Sequence, residues 1–208
     1  MRPAGRAMVI LAITIGIGFV VAIGFVVYAA HIRGSASALI ASAVGIHSTE
    51  DAQREIANWR TRAGEHFWRE SDRLGGDHDY DAQIENELIS RLRLVQPTEL
   101  TLGITMRGGK LRCVTIVMTT GRKPSATSSV WVQEWFDSQS EAIIRVNQKG
   151  RPWKAIVDLT SGVPDKQRRE ALALNPRCFV RPGGCGSAEE ILPGVWELAS
   201  SINANSSQ

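Results

Sequence analysis

The sequence predicts an α+β architecture: an N-terminal single transmembrane helix, then a domain with N-terminal helices packed on an antiparallel sheet of about five strands. Three observations predict it. Residues 8–30 are apolar without one charge, helix signals follow from Ser48, and beyond Pro97 the apolar period drops to two. A chain of 208 residues accommodates one ordinary domain beside such an anchor.

The anchor is "MVILAITIGIGFVVAIGFVVYAA", Met8 to Ala30. As a helix it reaches roughly 34 Å, enough for a hydrocarbon core of about 30 Å. A soluble surface helix keeps a polar face, which this run lacks. Arg2 and Arg6 flank it, and Ala36-Ser37-Ala38 and Ala41-Ser42-Ala43 resemble signal-cleavage sites. The run is longer than a signal core of about 7–15 residues, and both sites lie well past its end, so a retained signal anchor is expected.

Arg2, Arg6 and the α-amino group precede the span, while Arg33 is the only Lys or Arg between it and Glu50. The positive-inside bias then puts residues 1–7 in the cytoplasm and the rest of the chain beyond residue 30 outside it. Residues 31–47 either prolong the helix or form a stalk. Residues 48–198 are expected to form the extracytoplasmic α+β domain, and residues 199–208 a flexible tail. Within the span, Thr14, Gly18 and Ala22 recur at four-residue spacing and offer a close approach for self-association beside the surrounding lipid bilayer.

Ser48 opens the domain as a helix cap, with Glu50 and Asp51 at the positive end of the dipole and Ile56, Trp59 and Ala63 on one face. Gly75-Gly76 interrupts. A second helix is predicted over residues 80–95, where Ile84, Leu88 and Leu92 repeat every four residues ahead of Pro97. Leu100, Leu102, Ile104 and Met106 alternate with polar residues as a strand, Gly108-Gly109 turns the chain, and "LRCVTIVMTT" returns antiparallel. "VWVQEWF", "EAIIRVN" and "WKAIVDL" supply further strands, with a turn at residues 150–152. "PDKQRREALALN" closes as a short helix with Pro164 in its first turn.

Chemistry is sparse. A formal charge of +3, with no basic run interleaved with aromatics, excludes nucleic-acid binding as a leading class. The chain has no GxSxG, HExxH or GxxxxGK[ST] motif. Asp77, Asp79 and Asp81 stand at every second position, as calcium ligands do, but an EF-hand frame started at Asp77 meets Ala82 where Gly belongs and Leu88 where the closing Glu belongs. The simpler expectation is a polar loop leading into an acid-rich first helical turn, with no cofactor. Calcium or magnesium at these three aspartates is the alternative.

Cys178 and Cys185 bracket "FVRPGG", which turns the chain back, so an oxidising compartment favours a disulfide worth about 2.5 kcal/mol of loop entropy. Cys113 reads as core. Trp131 and Trp135 share one strand face opposite Val130, Val132 and Phe136. They are expected to be covered core, and if open they form a candidate binding surface for a glycan or protein. Acids concentrate in residues 70–87 and bases in residues 149–181, which solvated faces explain.

These features favour a membrane-anchored, non-catalytic binding or assembly module of the cell envelope. The alternative is an envelope enzyme, a metal-assisted hydrolase using Asp77, Asp79 and Asp81 with His66 or His78. A pilin-like subunit is disfavoured because "AMVILAITIG" lacks an early acidic residue.

Overall fold

The computed structural model describes residues 3–61, 67–73, 76–121, 128–137, 143–147, 154–160, 162–194 and 197. The predicted tail, the turn at residues 150–152, His66 and Ala63 lie outside them. One long helix, α1 (Pro3–Gly45), begins the chain. At about 1.5 Å per residue its 43 residues extend about 65 Å. Its Leu11–Gly45 portion is long and apolar enough to cross a membrane, and the most apolar window of that portion is not buried against the rest of the chain.

The second half of α1 behaves differently. Ile32, Ala36, Leu39, Ile40 and Ala43, spaced by three or four residues apart from the adjacent pair, are buried in the domain core, with Ile46 just beyond. Residues 31–45 therefore extend the helix, and the domain's packing begins well before Ser48. At the junction Ser48 and Asp51 form a reciprocal cap: the Asp51 N–H donates to Ser48 Oγ at 3.2 Å and Ser48 Oγ donates back to the Asp51 carboxylate at 2.9 Å. The capped helix, α2 (Thr49–Thr61), buries Ala52, Ile56 and Trp59.

Among the described residues seven strands follow: β1 (Phe67–Arg73), β2 (Asp77–Glu85), β3 (Thr98–Arg107), β4 (Lys110–Thr120), β5 (Ser128–Trp135), β6 (Ile143–Asn147) and β7 (Lys154–Thr160). Their order in the sheet is β1-β2-β3-β4-β5-β7-β6. Pairing is antiparallel except between β5 and β7, which run parallel. Short helices α3 (Glu87–Arg91), α4 (Asp165–Leu172) and α5 (Ala188–Ile191), with a 3-10 turn at Pro176–Phe179, complete the domain.

The predicted helix over residues 80–95 is corrected. Its first part is β2, because Ala82 and Ile84 face the core while Asp77, Asp79 and Asp81 face the other way, a period of two. Only α3 is helical, and there Ile89 is buried while Leu88 and Leu92 are exposed. Strand β2 is thus sealed between β1 and β3, and α2 is clipped over this edge by Arg60, which pairs with Glu70 at 3.1 Å and lies 5.8 Å from the rings of Trp68 and Tyr80.

Leu100, Leu102, Ile104, Ile116, Met118, Val130, Val132, Val157 and Leu159 form the sheet's inner face, packed under α1, α4 and the C-terminal turn. A buried ion pair locks this layer. Arg168 of α4 donates from Nε to both Glu134 carboxylate oxygens at 2.7 and 2.8 Å, and from its other nitrogens to the carbonyls of Val44 (2.6 Å), Ile46 (2.7 Å) and Ala43 (3.3 Å). At the end of α1 this guanidinium supplies a donor to the Val44 and Ile46 carbonyls and a second one to the Ala43 carbonyl, which also accepts from the Ile46 N–H at 3.4 Å.

The C-terminal loop is closed by the Cys178–Cys185 disulfide (Cα–Cα 5.2 Å). Glu190 braces the same loop, accepting from the Gly186 N–H and from Arg181 at 2.7 Å, which together hold its carboxyl below the usual carboxylate range. Buried Asn86 ties this loop to the sheet, donating to the carbonyls of Phe179 (2.8 Å) and Gln96 (2.9 Å) and accepting from the Thr98 N–H (2.8 Å).

Candidate functional site

With its inner face under helices, the sheet leaves its outer face to form a groove of about 370 Å³. Strand alternation decides what lines it. From β2 come Asp77, Asp79 and Asp81; from β3, Glu99, Thr101, Gly103 and Thr105; from β4, Cys113, Thr115, Val117 and Thr119; from β5, Trp131, Gln133 and Trp135. Both residue groups singled out in the sequence therefore meet on one surface. Asp79, Thr105, Cys113 and Trp135 are successive cross-strand partners. Three interstrand steps of about 4.8 Å separate the acidic side from the tryptophan side by about 14 Å.

Two local irregularities shape the groove. The register of β3 and β4 shifts after Thr105↔Cys113, so that Met106 pairs with Leu111 and Arg112 is the extra residue of a bulge. The bulge brings Arg112 into the groove beside Cys113. There Arg112 reaches Asp77, pairs with Asp137 at 3.1 Å and lies 5.7 Å from the Trp135 ring. On the floor, Gly103 leaves room that a side chain would take: a Cβ there would stand 2.8 Å from Asp81 Oδ1.

The three aspartates have different surroundings. Asp77 receives Arg107 Nη2 at 2.9 Å, with Arg107 Nε and Arg112 as further donors. The Arg107 hydrogen bond, aided by both positive charges, holds the Asp77 carboxyl below its usual range. Asp79, almost fully buried, accepts from Thr105 Oγ1 at 2.8 Å. Asp81 leans over Gly103. The expected loop leading into a helix is overturned: these residues lie along a strand, and Asp77 and Asp81 are about 13 Å apart along it. That separation exceeds what one calcium shell of about 2.3–2.6 Å radius gathers. Among the described residues no group of three or more His, Cys, Asp or Glu side chains converges to hold a metal ion. His78 lies apart from the groove lining, with Nδ1 2.5 Å from Asp72 Oδ1.

Trp131 and Trp135 are half-buried and line the groove, on the face opposite the core that was expected to cover them. Trp59 packs into that core instead. Trp131 Nε1 donates to Ser129 Oγ at 3.0 Å. Burial pushes the Cys113 thiol up to about 11, so at neutral pH it is protonated and a weak nucleophile.

The threonines, Gln133, Glu99 and Arg112 of the groove were not singled out from the sequence. The alternation in "TELTLGITM", whose outer positions are Glu99, Thr101, Gly103 and Thr105, was the available signal. Such a surface, with hydroxyls and carboxylates on one side and indoles on the other, suits a hydroxyl-rich or amine-bearing ligand through hydrogen bonds and ring stacking. It belongs to an α+β domain carried on a long apolar N-terminal helix. No protein-family model, curated protein or solved structure matches the chain.

Proposed function

We propose that the protein is a single-pass, membrane-anchored binding or assembly module of the cell envelope, with its N-terminus in the cytoplasm and its groove outside. The observation that carries this reading is the division of α1: exposed apolar residues along its first part and core-packed residues from Ile32 onward. One helix thus serves two environments and fixes the domain at the bilayer surface. The disulfide supports an oxidising, extracytoplasmic setting. The groove binds a glycan or protein partner without chemistry, using Trp131 and Trp135 as stacking surfaces and the acidic side for hydrogen bonding.

Intact cells treated with a membrane-impermeant thiol reagent test the topology. Labelling of wild type only after impermeant reduction, altered in Cys178→Ala and Cys185→Ala, is the expected result; thiols that react only after lysis turn the domain to the cytoplasm. For the groove, an envelope-glycan or envelope-protein ligand that quenches tryptophan emission in wild type should lose at least tenfold in affinity in Trp131→Ala/Trp135→Ala, about 1.4 kcal/mol. Affinity unchanged in that variant removes the groove from the reading. A divalent metal that copurifies with the chain and is lost in Asp79→Asn would support the metal-assisted enzyme instead.

A further inference from the structure

Three leucines missing from the core remain unexplained by the groove. Leu88, Leu92 and Leu94 are 53 %, 61 % and 50 % exposed. They are not scattered, because together with buried Ile89 they line one apolar hollow of about 550 Å³ against α1. The opposite wall is Gly18, Val21, Ala22, Phe25, Val26 and Tyr28, all within the uncharged run that spans residues 8–30. Arg93 takes a left-handed conformation (φ 58°), unusual for a residue with a Cβ, and this turn keeps Leu92 and Leu94 on the same hollow. Exposed Arg91 and Arg93 alternate with the leucines, Arg91 paired with Glu87 and Arg93 turned by its left-handed backbone.

We infer that residues 88–94 form a second, shallow membrane contact, with Leu88, Leu92 and Leu94 in the acyl chains of the outer leaflet and Arg91 and Arg93 at the lipid phosphates. The inference rests on the proposed membrane anchorage. Its occupant follows from continuity: Val21 to Tyr28 occupy the last few turns of the span, so whatever solvates them also meets the leucines across the hollow. Val21 lies nine residues, about 14 Å, before Ala30, and Tyr28 two residues, about 3 Å. The leucines therefore face the outer half of the span, on the hydrocarbon side of the headgroups, and the long arginine side chains beside them reach up toward the phosphates. A single helix leaves a domain free to swivel about the membrane normal. A second contact beside it restricts that rotation and fixes which way the groove faces.

The test uses the full chain with Cys113→Ala and the Cys178–Cys185 bond intact, carrying one environment-sensitive fluorophore at Leu92→Cys, Val21→Cys or Lys166→Cys. Lys166 is a solvent reference, 84 % exposed by side chain. Each protein is reconstituted in vesicles of phosphatidylcholine and phosphatidylglycerol and challenged with aqueous iodide and, separately, with a nitroxide-labelled phospholipid. The expected result is that the Leu92 probe resembles the Val21 probe, with iodide quenching several-fold weaker than at Lys166 and strong nitroxide quenching. A Leu92 probe as open to iodide as Lys166, with Val21 protected, overturns the second contact and leaves the anchor standing. If Val21 is also open to iodide, the anchorage itself fails. A Leu92 probe shielded from both quenchers means that protein, such as a second copy of α1, fills the hollow, and this overturns the lipid contact. Leu88→Cys repeats the reading at an independent exposed position.

Discussion

Replacing Arg168 by methionine removes the charge that joins α4, β5 and the end of α1 while keeping much of the side chain's bulk. Arg168 is 3 % exposed and Glu134 4 %, so Arg168→Met leaves a carboxylate buried without its partner. Breaking one side of such a pair costs about 3–5 kcal/mol, against a whole-domain stability of roughly 5–15 kcal/mol. The variant Glu134→Leu/Arg168→Met removes the stranded charge as well. It should recover most of the loss but not all, because the Val44 and Ile46 carbonyls still lack the donor that Arg168 supplied, at about 1–3 kcal/mol. Arg168→Lys should fall between, since one ammonium cannot reproduce the fork that serves Glu134 and these carbonyls together. Urea titration in detergent micelles, followed by tryptophan emission, reads this directly, because all six tryptophans lie after α1. The reasoning is refuted if Arg168→Met lies within about 1 kcal/mol of wild type, or if the double variant is no more stable than the single one.

Stability should also depend on pH through Asp77. Its carboxyl is depressed in the folded state by the Arg107 hydrogen bond, so its contribution is present above the unfolded value of about 3.9 and vanishes as pH falls through the lower folded value. The denaturation midpoint of wild type should exceed that of Asp77→Asn by a constant margin from pH 7 to about 5 and converge with it in strong acid; a margin that grows on acidification contradicts the assignment. Asn86→Ala should lose about 3 kcal/mol, because the Thr98 N–H and the Phe179 and Gln96 carbonyls lose their buried partner; urea titration checks it. Gly184→Ala should cost about 2 kcal/mol or more, since Gly184 has φ +68° and a Cβ there would stand 2.9 Å from Gln96 Cβ; a thermal midpoint within 1 °C of wild type would count against this.

The strands from Thr98 onward were legible because their inner residues bury against helices and their outer residues do not, giving a clean period of two. Residues 80–95 misled for the opposite reason. Ile84 answers to the core, whereas Leu88 and Leu92 belong to the exposed hollow beside α1, so a four-residue spacing combined two environments that share no helix face. Asp77, Asp79 and Asp81 carried the strand period in plain view, but the alternate positions within "DHDYD", His78 and Tyr80, are polar enough to hide the apolar half of the pattern. The groove was only half legible. Its aspartates and tryptophans stood out by type, whereas their meeting across four strands depends on long-range register, and the entry of Arg112 depends on a bulge that leaves no mark in composition. Arg168, one of several bases in "DKQRREAL", looked like a solvent residue, and only the packing of α4 against the end of α1 sets it apart.

The unbroken run of α1 from Pro3 to Gly45 also acts as a lever. A helix embedded in a bilayer answers a change in hydrocarbon thickness by tilting, at a cost of only a fraction of a kcal/mol per Å of mismatch. In a jointed protein that tilt would dissipate in the linker. Here the same rigid rod lies in the core, clamped at its far end by Arg168, so each degree of tilt inclines the sheet by the same amount. Under the proposed anchorage, membrane thickness would set the angle at which the groove meets its surroundings.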